Sequence, residues 1–298
     1  MAKIRTALSM LGSAKDAKKF AARFDDPSRA MPAESLFPPD EVRPELTDAR
    51  TLLLRVTNTP DGHGDIFTVV HAPAARNSVS VLVFNPNIII EANATLRELV
   101  DDSGYPVAVA IVEEFLGTRI DHIIELTGHA LSGIIDAVGP LATYSRAAFT
   151  ADGFDFVEGT NRLDGAAARA FTAANPVDDA GQTRTRNQRA VLRALLNTLD
   201  VRKLTKDNSQ LVQVLEHAVD GSQKDPGLTS GVLTQLANDL RDLTRKDIVA
   251  VTVPAASERQ EDGSVRITFE ADVLTALRES LTSDGPGEFV AKLAEMGY

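Results

Sequence analysis

Two stretches of the chain carry residue types suited to phosphate and metal chemistry. The turn TPDGHGD ends on His63, Gly64 and Asp65, and the run QTRTRNQR places Arg184, Arg186 and Arg189 with Gln188 at the start of a helical pattern. A hard carboxylate oxygen suits magnesium, but one carboxylate alone holds that ion weakly without substrate phosphates. Asp65 beside two glycines also reads as an ordinary turn residue. Guanidinium forks match phosphate oxygens bidentately, while the same arginines also read as a solvated charged face. Asp121-His122 reads as structural rather than catalytic, and Asp164-Gly165 as a turn or helix cap. The sequence holds no defensible Ser-His-Asp spacing, no HExxH, no GxxxxGK[ST] loop and no dinucleotide glycine fingerprint.

The elements that position these groups read as one large domain behind an N-terminal arm. Residues 1–26 form an amphipathic basic helix: Ile4, Leu8, Leu11, Ala17, Phe20 and Phe24 line one side, and Lys3, Lys15, Lys18, Lys19 and Arg23 lie largely on the other. Such a helix either packs on its own domain or lies on an anionic membrane surface. Residues 27–50, with five prolines between 27 and 44, read as an extended linker. The domain, 51–298, opens with apolar runs Thr51 to Thr57, Ile66 to His71 and Val79 to Phe84 joined by hairpin-like loops. Helical stretches follow around Ala94 to Asp101 and Val107 to Leu116, stopped by Gly117. A strand from Arg119 to Leu126 leads to Thr127 as the cap of a helix ending near Val138. Another short helix runs from near Asp164 to about Ala174, and Gln182 to Leu199 is helical with a Leu/Val stripe. Two more helices precede strands Ile248 to Val253 and Val265 to Phe269, and two short helices close the chain. This interleaving predicts an α/β fold, an α-β-α layered domain whose central mixed β-sheet is covered by helices on both faces.

Composition narrows the function. A formal net charge of −11 argues against general nucleic-acid affinity. The absence of cysteine excludes disulfides and thiolate zinc sites. No run of about 18 apolar residues and no signal-peptide core occurs, so the chain as written reads as cytoplasmic or membrane-surface.

The segments TRIDHIIELTGHALSGIIDAVG, GTNRLDGAAARAF and TSGVLTQLANDLRDLTRKDIVAVTVP, in this order, resemble the LytR-CpsA-Psr family of cell-wall glycopolymer phosphotransferases, from about Thr51 to about Leu281. The resemblance implies an extracytoplasmic, membrane-anchored enzyme. It implies a polyprenyl-pyrophosphate-linked glycan whose tail lies in an apolar channel, and arginines with a magnesium-binding aspartate that hold the diphosphate during transfer to peptidoglycan. On this sequence it assigns Asp65 as magnesium ligand and catalytic residue, Arg184 as the second catalytic residue, His63, Asn87, Asn93 and Gln188 as substrate-binding, and Val109, Val112 and Ile123 as channel lining. The chain departs from the family pattern at several of these positions. His63 stands where the family has arginine, Asn85-Pro86-Asn87 falls on its Pro-Arg-Asp so that the arginine and aspartate are lost at Pro86 and Asn87, and Glu91 takes a lysine position ahead of Asn93. Ala173, Asn175 and Asn187 stand where three further arginines are expected. A register slip in the helix start would bring Arg186 or Arg189 to the site instead.

Each charge-assisted hydrogen bond to phosphate contributes about 1.5–3 kcal/mol, so these departures predict weak or lost transfer. The expected function is a divergent member of the family with reduced or absent catalysis. The alternative is a non-catalytic lipid-binding or partner-binding protein on the same scaffold.

Overall fold

The computed structural model describes residues 14–32, 36–60, 62–91, 94–199, 208–282 and 287–298. In chain order the first elements are helix α1 (Ala14–Phe24), strands β1 (Arg50–Thr57), β2 (Ile66–Ala72), β3 (Val79–Phe84), β4 (Ile89–Glu91) and β5 (Ala94–Thr95), and helices α2 (Leu96–Ser103) and α3 (Tyr105–Leu116). Strand β6 (His122–Thr127), helix α4 (Gly128–Val138), strands β7 (Leu141–Ser145), β8 (Phe149–Ala151), β9 (Phe154–Phe156) and β10 (Gly159–Leu163), and helices α5 (Gly165–Ala173) and α6 (Gln182–Thr198) follow. The chain continues with helix α7 (Asn208–Asp220), strand β11 (Ser222–Lys224), helix α8 (Ser230–Asp239), strands β12 (Ile248–Thr252), β13 (Ala255–Arg259) and β14 (Val265–Phe269), and helices α9 (Ala271–Thr282) and α10 (Glu288–Glu295).

Six strands form the central sheet in the order β11-β6-β1-β2-β3-β12. β1-β2-β3 is an antiparallel meander, β6 joins β1 and β12 joins β3 in parallel, and β11 closes one edge antiparallel to β6. The sheet is mixed, as the sequence predicts. β3, Val-Ser-Val-Leu-Val-Phe, is buried at every position, which is what a central strand covered on both faces requires.

Strand alternation divides the core. Leu53, Phe67, Val69, Leu82 and Phe84 pack against α2, α3, α9 and α10 through residues such as Val100, Val112, Leu277 and Val290. Val56, Ile66, Val83 and Leu126 pack on the opposite face against α4, α5 and α6 through Ile135, Phe171 and Val191. Full burial of each such side chain contributes about 1.5–3 kcal/mol, so a one-residue slip of β1 would exchange both layers.

The helix ends follow from local signals. Thr95 and Glu98 form a reciprocal capping box at α2, Thr127 caps α4 and Asp164 caps α5 through their side chains, and Gly117 ends α3 at φ +64°. The sequence reading missed the strand pairs β7–β10 and β8–β9, whose Phe149, Phe154 and Phe156 gather around Phe171. These strands are three to five residues long, too short for alternation to stand out from a turn-rich background.

The N-terminal arm is docked on the domain. Of its helix the described part begins at Ala14, and Ile4, Leu8, Leu11 and Lys3 lie outside the described residues. Ala17 and Phe24 are buried, and Lys19 and Arg23 pair with Glu216 of α7 at 2.9 and 3.5 Å. The segment expected as an extended linker carries two 3-10 turns, Pro27–Arg29 and Asp40–Val42. It sends Met31 and Leu36 into the main core, and Met31 N–H donates to the Lys224 carbonyl at 2.8 Å. Arg43 then closes it down: its guanidinium donates to both carboxylate oxygens of the buried Glu113 and to the Ile120 carbonyl. Prolines set extended backbone here, but apolar residues between them give that backbone a surface to bury.

Candidate functional site

The C-terminal end of β1 and the start of β2 bring Arg55 and Asp65 together under the loop that joins them. Arg55 is the fifth letter of Thr-Leu-Leu-Leu-Arg, and alternation aims it at the α2–α3 face. Its Nε donates to Asp65 Oδ2 at 2.8 Å, and Nη2 lies 2.7 Å from the same oxygen. Asp65 Oδ1 accepts from the Asn58 backbone N–H at 2.9 Å. Arg55 Nη2 also reaches Asp101 Oδ1 at 2.7 Å, its Nη1 lies 3.8 Å from Glu125 Oε1, and its guanidinium covers the Phe67 ring. Tyr105 OH donates to Glu125 at 2.5 Å.

Three carboxylates therefore face one guanidinium. Burial raises the Asp65 carboxyl above its ordinary value, against the opposing pull of Arg55 and the Asn58 amide. For Arg55, burial acts downward, but the charge of Asp65 and the hydrogen bond to Asp101 outweigh it and hold the guanidinium above its ordinary value. Burial and the Glu125 charge push the Tyr105 phenol up. The cleft beside this network is lined by Arg55, Asn58, Asp65, Asp101, His129 and Arg169.

The other sequence-derived site residues gather nearby, mostly in structural bonds. Gln188 is fully buried, and its Nε2 donates to the carbonyls of Gly64, Asp65 and Thr172 at 3.1, 3.1 and 3.2 Å. Asn58 Nδ2 donates to Thr172 Oγ1. Asn85 and Asn87 both donate from Nδ2 to the Ala180 carbonyl, at 3.2 and 3.1 Å, which ties the end of β3 to the lead-in of α6. Arg184 is buried on the first turn of α6, on the inward stripe with Gln188. His63 is exposed on the loop. Val109, Val112 and Ile123, at most 1% exposed, sit inside the main core cluster. Asn93 and the side chain of Glu91 lie outside the described residues.

The outward side of α6 is different. Arg186, Arg189 and Arg193 recur at i, i+3 and i+7, which is one helical face, and Arg146 follows the neighbouring strand β7. Arg189 Nε and Nη1 are buried without an acceptor. Burial first, then the charges of Arg193, Arg146 and Arg186, lowers the Arg189 guanidinium to about 10. Arg146 and Arg186 open on a cleft of about 230 Å³ with Asn85, Gln182, Thr185 and Tyr298.

Sequence reading missed Arg55 and Arg146. A charge inside an apolar strand was a visible signal for Arg55. Arg146 has none, because only the packing of β7 on α6 brings it to the others.

Magnesium needs oxygen donors with lone pairs to offer. Asp65 has both oxygens accepting from N–H groups, and among the described residues no group of three histidine or acidic side chains is arranged to hold a metal.

The comparisons agree on the scaffold. The sequence pattern of the LytR_cpsA_psr family matches residues 68–283. A polyisoprenyl-teichoic acid–peptidoglycan teichoic acid transferase, TagU, of Bacillus anthracis is 35% identical over 94 residues, 31% of each chain. The Bacillus subtilis protein of the same name is 30% identical over 95 residues, 32% of this chain and 31% of that one. These matches thus span under a third of either relative. Among solved structures, TagV of Bacillus subtilis superposes with a TM-score of 0.59 at 16% identity, covering 83% of this chain and 99% of that one. The LytR-Csp2A-Psr enzyme of Actinomyces oris gives 0.60 at 15%, covering 82% and 95%. The helix-covered mixed sheet and the family pattern define an α/β scaffold of this family. The chain belongs to the LytR-CpsA-Psr family.

Among the described residues no helix is long and apolar enough to cross a membrane.

Proposed function

We propose that this family member binds an anionic glycopolymer carried on a polyprenyl diphosphate and transfers it weakly or not at all. The names of its relatives, teichoic acid transferases, support the substrate class. One observation carries the loss of transfer: Arg55, the guanidinium at the Asp65 cleft that pairs with its carboxylates, faces Asp65, Asp101 and Glu125 together. A diphosphate entering there meets local negative charge and a carboxylate already bonded to nitrogen donors. Transition-state charge on a leaving diphosphate needs fixed cations, and here Arg55 is already neutralised. We assign no step to a metal.

The binding reading needs apolar contact for a polyprenyl tail, and Asp101, which lines the Asp65 cleft, belongs to α2, a helix of the apolar α2–α3 layer. Incubation with a polyprenyl diphosphate and magnesium, followed by measurement of released phosphate, tests the proposal. Weak release or none is expected, with or without Arg184→Ala. Strong release that disappears in that variant would overturn it.

A further inference from the structure

We infer that the outward face of α6, with Arg186, Arg189 and Arg193 beside Arg146, is a binding site for a linear anion bearing at least two phosphate groups. The face is separate from the inward stripe of Arg184 and Gln188, and Arg186 and Arg189 do not join that stripe. The inference does not rest on the proposed function, because its readout is equilibrium binding of a soluble probe.

Charge accounting sets this face apart. By contrast, Arg43 and Arg55 are each paired with carboxylates. Among the described residues none of Arg146, Arg186, Arg189 and Arg193 forms an ion pair, although the chain carries 42 acidic residues and a net charge of −11. Four like charges are thus gathered on a protein with acids to spare. Arg189 adds two buried nitrogens without an acceptor. Its guanidinium is also easier to deprotonate than usual, down to about 10, through burial and then its three neighbours. This arrangement costs stability in the free protein and is relieved when an anion enters.

Geometry sets the length of the ligand. Arg186 to Arg193 spans about 10 Å along the helix axis at 1.5 Å per residue, too far for one phosphate to bridge. The cleft beside Arg146 and Arg186 is also lined by Asn85, Gln182 and Tyr298, none of them acidic in its side chain. Guanidinium forks over a row of phosphate oxygens suit a short chain of phosphates.

The test is calorimetric titration of the full chain with inorganic phosphate, pyrophosphate, farnesyl diphosphate and tripolyphosphate at low and high salt. Tripolyphosphate is expected to bind at least about tenfold tighter than phosphate, and to weaken steeply with salt. Arg186→Glu is expected to reduce tripolyphosphate affinity by about tenfold or more. Arg189→Gln is expected to reduce it as well while raising the melting temperature of the free protein, a combination that a purely structural arginine would not give. Arg266→Ala, on an exposed strand elsewhere, serves as the control. Equal binding of phosphate and tripolyphosphate, or full affinity in both α6 variants, overturns the inference. Farnesyl diphosphate binding about tenfold tighter than pyrophosphate also overturns it, because the site is argued from charge alone.

Discussion

Arg55 and Asp65 share one carboxylate oxygen, which accepts from Nε at 2.8 Å and lies 2.7 Å from Nη2. The pair joins β1 to β2 across the mouth of the cleft, and both partners are nearly excluded from water. Removing one partner of such a pair costs about 3–5 kcal/mol, because the other is left charged and buried. Arg55→Ala is therefore expected to lower stability to urea by that amount. Replacing both residues with apolar ones should cost less than the single change. A double variant as unstable as the sum of the singles would show that the two groups are not coupled.

The arm is held by Arg43 on Glu113, with side-chain exposures of 6% and 1%. Among the described residues, Arg43→Ala leaves Glu113 with the Ile120 amide at 2.8 Å as its hydrogen-bond partner. A loss of about 3 kcal/mol in urea unfolding is expected, together with faster proteolysis between Pro39 and Thr47. Unchanged stability would mean that Met31 and Leu36 hold the segment by themselves.

His71 is buried and neutral, bonded to Thr51 Oγ1 at 2.9 Å and to the Leu281 carbonyl at 3.1 Å. Burial lowers its imidazole from 6.5 to about 4. Between those values the unfolded chain takes up a proton that the native protein refuses. The stabilisation is present above pH 6.5 and is lost as pH falls towards 4, by about 3 kcal/mol in total. Urea unfolding at pH 7 and pH 4.5 should show a smaller pH dependence in His71→Asn than in the parent. Equal slopes would remove His71 as the cause.

Gly165 begins α5 where it touches α4. A Cβ there would lie 2.2 Å from the Ser132 carbonyl oxygen, and the Gly165 N–H donates to Asp136 Oδ1 at 2.7 Å. Gly165→Ala must push the two helices apart and is expected to cost about 1–3 kcal/mol in thermal or urea unfolding. Full stability would imply that α5 tilts freely.

Much of the fold was legible because its signals are local. The apolar runs at 51–57, 66–71 and 79–84 correspond to strands within a residue, and Thr127 and Gly117 mark helix ends through their own chemistry. The family resemblance likewise agrees with the matched region. The site was less legible. Asp65 and Gln188 could be named from sequence, but their hydrogen-bond partners, Arg55 and the carbonyls of Gly64, Asp65 and Thr172, come from elsewhere in the chain. The docked arm was hidden for a similar reason. Proline density reports backbone preference, whereas Leu36 and Arg43 are held by surfaces on α3 and the far end of the chain.

One helix, α6, carries both polar systems described above, back to back. Residues turned towards the sheet answer to packing, so a change there disturbs the protein as a whole. Residues turned outward lie nearer the surface, Arg193 exposed and Arg186 and Arg189 partly buried, so a change there touches less of the architecture. A chain built in this way is free to exchange one anion for another along its rim, with the sheet beneath left as it is.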